Sequence, residues 1–284
     1  MQPLHSILFL LAVALVCVWI WTAPGRRARR RQRIGAAPFP PTWVTLLEER
    51  LPLYLHLSTA ERQHLQMRIL QLLEAWQFVG CNGLAVTDDM RLLVAAQAGV
   101  LALGHQSDPW PELREVLLYP DVFLSPHRIE HSGGVVEEGL RELEGESWSG
   151  ERVVLAWTEV EDGAADPHDG VNVVIHEFAH QLDALSGGTG GLPVLPPGVA
   201  LETWTTAWSA AFERFCRAVE RRGDPDWLDP AASENAGEFL AYVTEVFIEC
   251  PWELEAREPA IYRLLVQVLG IDPLAWRCPQ AEAA

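Results

Sequence analysis

The chain contains no lysine. All 21 of its basic residues are arginine, and they face 39 aspartates and glutamates. Six of the arginines crowd between Arg26 and Arg33, which leaves 15 basic against 39 acidic residues elsewhere. A surface of that sign repels phosphates, so no nucleic-acid partner is expected. Cysteine is scarce too. Cys17, Cys81, Cys216, Cys250 and Cys278 are odd in number, scattered and without a C-x-x-C pair. That excludes a disulfide framework and suits a reducing compartment. Internal repeats are absent, and so is any long linker after residue 40. At 284 residues the chain can bury a full core in one large domain or two small ones.

Charge is missing from Ile7 to Ala23, and Leu4 extends the apolar character outward. Such a run rises about 25 Å as a helix, enough to span a bilayer with interfacial help. Trp19 and Trp21 stand at one end, where indoles anchor among headgroups. Nothing basic precedes the run, and the arginine cluster follows it. A cleaved signal peptide needs positive charge in front. The expectation is therefore an uncleaved single-pass anchor in the inner membrane, with the following chain cytoplasmic by the positive-inside rule.

What is present is His176-Glu177-Phe178-Ala179-His180, an H-E-x-x-H motif. Two histidines four residues apart on a helix face the same way, which suits two imidazoles on one tetrahedral Zn2+. Zinc lowers the pKa of a coordinated water to roughly 7. Glu177 is placed to take that water's proton and hand it to a leaving amine. No cysteine lies near enough to close a structural zinc site. The spacing predicts a helix capped by Asp169, with Gly170 in its first turn, and stopped at Gly187 and Gly188. Val171, Val174, Ile175, Phe178, Leu182 and Leu185 form its apolar face. His176, His180 and Asp183 lie elsewhere on the helix and are left for a cleft. Asp183 either orients a ligand or caps a neighbouring element, or is an ordinary solvated aspartate.

A third ligand is needed, and in one class of such enzymes it is a glutamate on a later helix. Ser233 to Phe247 is the candidate segment, with Phe239, Val243, Val246 and Phe247 as its apolar stripe. Glu238, Tyr242, Glu245 and Glu249 share the opposite face. Glu238 and Glu245 are about 10 Å apart along a helix, so they cannot both hold one metal.

H-E-F-A-H-Q-L-D followed by E-F-x-A-x-x-x-E-x-F resembles the MtfA (Mlc titration factor A) peptidases, which are zinc-dependent. Further matching stretches are Pro38-Phe39-Pro40, Gly83 to Arg91, Ala95 to Ala98, Val116 to Pro120 and Val153 to Trp157. The resemblance covers about residues 38–275. It implies that Glu238 is the third ligand beside His176 and His180, with Glu177 as base; Glu245 is read as an orienting or structural group and not a ligand. It also implies a zincin-like fold, related to the catalytic domain of anthrax lethal factor. Aminopeptidase-like activity and a partnership with a transcriptional repressor of sugar uptake follow from it as well.

Two positions depart from the family pattern. Related enzymes often carry a tyrosine seven residues before the third ligand, suited to holding an oxyanion. Here the position is Ala231, so either Tyr242 or another donor replaces it or the oxyanion is held more weakly. Some members have an upstream histidine read as an extra ligand, and its slot here is Glu137. His127 and His131 stand nearby and are read as histidines without function.

Elsewhere, Ser58-Thr59-Ala60-Glu61 reads as a capping box opening a helix with Leu65, Ile69, Leu72, Leu73 and Trp76 on its apolar face. Leu84 to Thr87 reads as a short strand, followed by a helix from Asp88 to about Leu103. Val116 to Tyr119 and Val153 to Trp157 read as strands. The latter, immediately upstream of the metal helix, is either an edge that binds substrate by strand addition or a plain core strand. Ser186 to Gly198 borders the cleft or merely connects. Leu201 to Phe215 predicts a packed amphipathic helix. Pro251 breaks the ligand helix, and Ile261 to Leu269 forms a last one.

The expected architecture is α+β and helix-dominated, a zincin-like metallopeptidase domain with a small sheet, preceded by one transmembrane helix. Residues 1–25 are the anchor, 26–37 a basic juxtamembrane linker, 38–275 the domain and 276–284 a tail. The expected function is hydrolysis of a peptide or protein by metal-activated water beneath the membrane. The alternative is a weakly catalytic interaction protein that sequesters a transcriptional regulator.

Overall fold

The computed structural model describes residues 28–121, 123–131, 135–143, 145–148, 151–187, 190–223 and 227–276, with scattered positions between 13 and 26. The expected anchor and tail lie largely outside the described residues. Among those that are described, no helix is long and apolar enough to cross a membrane. Residues 28–35 are helical, and Arg30 and Arg31 of this stretch pair with Glu74 and Asp108.

Helices dominate, as expected. The chain opens with α1 (Pro41–Arg50), α2 (Leu53–His56) and α3 (Thr59–Ala75). α3 begins at the predicted capping box: Glu61 N–H donates to Ser58 Oγ and Ser58 N–H to Glu61 Oε2. Then come β1 (Gln77–Gly80), α4 (Asp88–Leu101) and β2 (Glu115–Tyr119). β3 (Phe123–His131) and β4 (Val135–Leu143) form a separate antiparallel hairpin, in which Ile129 pairs with Glu137 and His127 with Gly139. β5 (Gly145–Trp148) and β6 (Arg152–Ala156) return to the first sheet, whose order is β1-β2-β6-β5. β1, β2 and β6 are parallel, and β5 runs antiparallel to β6. After α5 (Trp157–Ala165) come α6 (Val173–Ala184), α7 (Leu201–Arg222), α8 (Ala236–Glu249), α9 (Pro251–Arg257) and α10 (Pro259–Leu269).

Two expectations are corrected. Leu84 to Thr87 is not a strand. The backbone turns through Asn82 (φ 49°) and Gly83, and Thr87 Oγ1 then accepts from Met90 N–H as the cap of α4. A residue spent on a cap has no place in a ladder, and β1 forms earlier, at Gln77–Gly80. Second, the Val153 strand does not run directly into the metal helix. It ends at Ala156, and α5 intervenes with Val160 and Ala164 buried. Of the two readings of that strand, the core one holds: β6 is paired on both sides, with Val153, Val154, Leu155 and Ala156 buried, and β5 is an edge of the sheet. β5 runs against α6.

One apolar core joins the helices to the sheet. Under α6, Trp76 and Trp110 close on Phe178, with ring centroids 4.9 and 4.7 Å away. Trp110 Nε1–H donates to the Phe178 carbonyl. Val174, Ile175 and Phe178 are wholly buried, each burial favouring the fold by about 1.5–3 kcal/mol. Val171 and Leu185, expected on this face, are exposed because they fall just outside the helix. α7 packs as predicted, with Trp204 and Trp208 stacked and buried.

Candidate metal centre

Two helices build the site. α6 carries His176, Glu177 and His180, and its cap is Asn172 rather than Asp169. Asn172 Oδ1 accepts from Ile175 N–H, while Asp169 Oδ1 instead accepts from Val171 N–H one turn earlier. Both residue types cap well, so composition alone favoured neither. α8 carries Glu238 in its first turn. Asn235 caps it, with Oδ1 accepting from the N–H groups of Gly237 and Glu238.

Packing of α8 along α6 brings three donors together. His176 Nε2 and His180 Nε2 are 3.1 Å apart. Glu238 Oε2 lies 3.3 Å from His176 Nε2, and its Oε1 lies 3.5 Å from His180 Nε2. Two atoms bound to tetrahedral zinc at about 2.0–2.1 Å are roughly 3.3 Å apart. Each separation is near that edge, with one Glu238 oxygen facing each imidazole, and one atom from each of the three residues lies within 4.8 Å of the others, so this donor set fits a zinc ion. Among the described residues it is the one group of histidines, cysteines and carboxylates so arranged.

The charges explain why metal-free residues would still crowd together. Burial alone would lower the His176 pKa and raise that of Glu238. Mutual hydrogen bonds reverse both: His176 is held well above its ordinary value and Glu238 well below. A metal must displace that proton.

Glu245 and Tyr242 of α8 pack against His176. Glu245 Oε1 lies 2.8 Å from His176 Nδ1. A carboxylate there keeps a ring hydrogen on Nδ1 and turns Nε2 toward Glu238 and His180, so that Nε2 is the nitrogen a metal would take once its proton is displaced. Tyr242 stands edge-to-face against the same ring, with centroids 4.6 Å apart. Glu177 is buried at 4% exposure. Asp183 takes the capping role: 2% exposed, it accepts from Gly191 and Leu192 N–H. It thereby fixes the loop after α6. Gly191 has φ 69°, and a Cβ there would stand 2.3 Å from the Ala236 carbonyl at the start of α8. Asp183 thus helps seat the helix that bears Glu238.

Ala231 lies in a short 3-10 turn (Pro230–Ser233) before α8 and offers no side-chain donor. Side chains of the β3–β4 hairpin, with Glu137, His127 and His131, lie outside the description. Sequence reasoning missed Asn172. An N-cap residue directly before the apolar-periodic run was its available signal.

A helix bearing H-E-x-x-H, joined by a carboxylate from a later helix, defines a metallopeptidase site. Residues 26–269 match the family model of the glucose-regulated metallo-peptidase M90, and the chain belongs to that family. Uncharacterized protein slr2042 of Synechocystis is 36% identical over 260 residues, 91% of this chain and 94% of the relative. Mlc titration factor A of Yersinia pestis is 32% identical over 90% of this chain and 91% of its own length. The protein of that name from Pectobacterium atrosepticum is 30% identical over 79% and 84%. The resemblance read from the motifs is thereby established over most of the chain.

Proposed function

We propose that this chain is a zinc-dependent peptidase in which His176, His180 and Glu238 hold the metal and Glu177 is the general acid and base. The observation that carries the reading is the convergence of the two imidazole Nε2 atoms, 3.1 Å apart, on the Glu238 carboxylate, whose two oxygens lie 3.3 and 3.5 Å from them. Zinc, when bound, activates water at neutral pH. Glu177 takes the proton of the attacking water and delivers it to the leaving amine. Glu245 holds the His176 ring, and Tyr242 is the candidate oxyanion donor in place of Ala231. The edge strand β5, beside α6, offers backbone groups on which an extended peptide adds as a strand.

Family resemblance supports aminopeptidase-like specificity and a transcriptional repressor as a partner, and the relatives' name, Mlc titration factor A, supports a regulator of that kind. The apolar run before Arg26 supports a membrane anchor with the domain in the cytoplasm. Digestion of the domain by protease added outside spheroplasts would overturn that topology. The second reading, an interaction protein that sequesters a regulator, rests on the missing side-chain donor at Ala231. The deciding variant is Glu177→Gln. We expect about one zinc per chain to remain while peptide hydrolysis falls about 10²–10⁴-fold. Unchanged hydrolysis sinks the assigned mechanism. A wild type that binds a regulator and hydrolyses no member of a peptide library favours sequestration.

A further inference from the structure

Asn172 is 2% exposed and sits where three helices meet the start of α6. Its side-chain oxygen is used up by the cap. Its Nδ2 lies 2.9 Å from Gln97 Oε1 on α4, 2.9 Å from the Gly163 carbonyl on α5 and 3.0 Å from Glu249 Oε1 on α8. Two N–H bonds are shared among three acceptors. Gln97 is itself buried and tied by Nε2 to the Leu93 and Val160 carbonyls. The amide is therefore pinned from every side. That pins the backbone of the same residue, and its N–H donates to Glu245 Oε2. Glu245 Oε1 in turn faces His176 Nδ1.

We propose that Asn172 is a positioning residue for the metal centre. Its side chain fixes the backbone N–H that aims Glu245, and Glu245 aims His176. A cap alone needs one oxygen, and serine would supply it. The lateral bonds to three other elements are what a cap does not require.

Gly163 gives independent support. It lies inside α5, where glycine is a poor helix former. A Cβ there would stand 3.0 Å from Asn172 Cα, 3.2 Å from Asn172 Cγ and 3.2 Å from the Val171 carbonyl. These are backbone atoms and a pinned amide, not a side chain that can swing away. The helix gives up a better residue so that Asn172 can sit where it does.

The inference rests on the metal-site reading, so its test reads zinc directly. Zinc affinity is measured by chelator competition on folded protein, beside thermal midpoints and kcat/KM. Asn172→Ser keeps an oxygen for the cap and removes the lateral bonds. We expect zinc affinity to weaken about 10–100-fold. In the Asn172→Ser, Glu245→Gln double variant the loss should be no greater than in Glu245→Gln alone. Wild-type zinc affinity in Asn172→Ser, whatever its thermal midpoint, overturns the proposal. So do additive losses in the double variant. Should Asn172→Ser fail to fold, Gly163→Ala decides. It leaves every hydrogen-bonding group in place and should weaken zinc in the same direction, and unchanged zinc affinity there overturns the proposal. A wild-type chain that takes up no zinc overturns the metal-site reading and this one with it.

Discussion

The two ends of α8 carry the same residue type to opposite ends. In the first turn, Glu238 has a side chain 24% exposed and faces two imidazole Nε2 atoms. Two turns on, Glu245 is 2% exposed, and Glu249 a turn beyond it is 2% exposed as well. All three lie along one face of the helix. What separates them is the partner opposite. α6 presents ring nitrogens able to share a metal at the N-terminal end of α8. Farther along it presents the back of His176 and then Asn172. One carboxylate can therefore hold the metal, the next a ligand, and the third the cap that holds them both.

The sharpest way to break this comparison is Glu238→Ala. It removes one of three donors while leaving the buried network alone. Zinc should fall from about one per chain to none that survives desalting, read by metal analysis, and the metal-free protein should keep its fold while losing what the Glu238–imidazole hydrogen bonds contribute. Stoichiometric zinc in this variant would mean that another carboxylate completes the site.

Glu245→Gln tests the middle position. Glutamine can still accept from His176 Nδ1–H, but its single oxygen cannot also serve the Asn172 N–H. Loss of an orienting carboxylate typically lowers metal affinity or activity about 10–100-fold. Zinc should stay bound at high concentration, with kcat/KM lowered within that range. Complete loss of zinc would move Glu245 into the ligand set and erase the distinction from Glu238.

How much of this was legible beforehand divides along the same line. His176, Glu177 and His180 were readable because ligand chemistry needs particular residue types at a fixed helical spacing. Glu238 needed the family resemblance, since periodicity placed it on one face with Glu245 and only distance excluded their acting together. Long helices with clear stripes, such as α3 and α7, were also readable. The failures sit where local sequence is ambiguous. The four residues of β1 carry too little pattern, and Leu84 to Thr87 look equally apolar but are consumed by a turn and a cap. Asp169 and Asn172 are both good caps three residues apart, and the choice is made by Gln97, the Gly163 carbonyl and Glu249. Gln97 and Glu249 come from positions 75 and 77 residues away in the chain, which no local window contains.

The smallest effect belongs to the third position. Burial pushes the Glu249 carboxyl well above its ordinary value, and Glu245 and Asp169 push the same way against the Asn172 hydrogen bond. A folded-state pKa raised above the unfolded value of about 4.3 means that the folded chain keeps a proton that the unfolded chain has released. Stability from this group is thus fully present below about pH 4 and is lost as pH rises through the folded pKa. Glu249→Gln fixes the neutral form and still offers an oxygen to Asn172 Nδ2. Relative to wild type, the variant should therefore gain stability steadily as pH rises above about 5, measured by denaturant midpoints at constant free zinc. The comparison with wild type cancels the opposing pH dependence of the histidine ligands, which both proteins share. A difference between the two that stays flat with pH would show that Glu249 ionises as readily as an exposed glutamate, and the contrast between the two ends of α8 would then be one of geometry without charge.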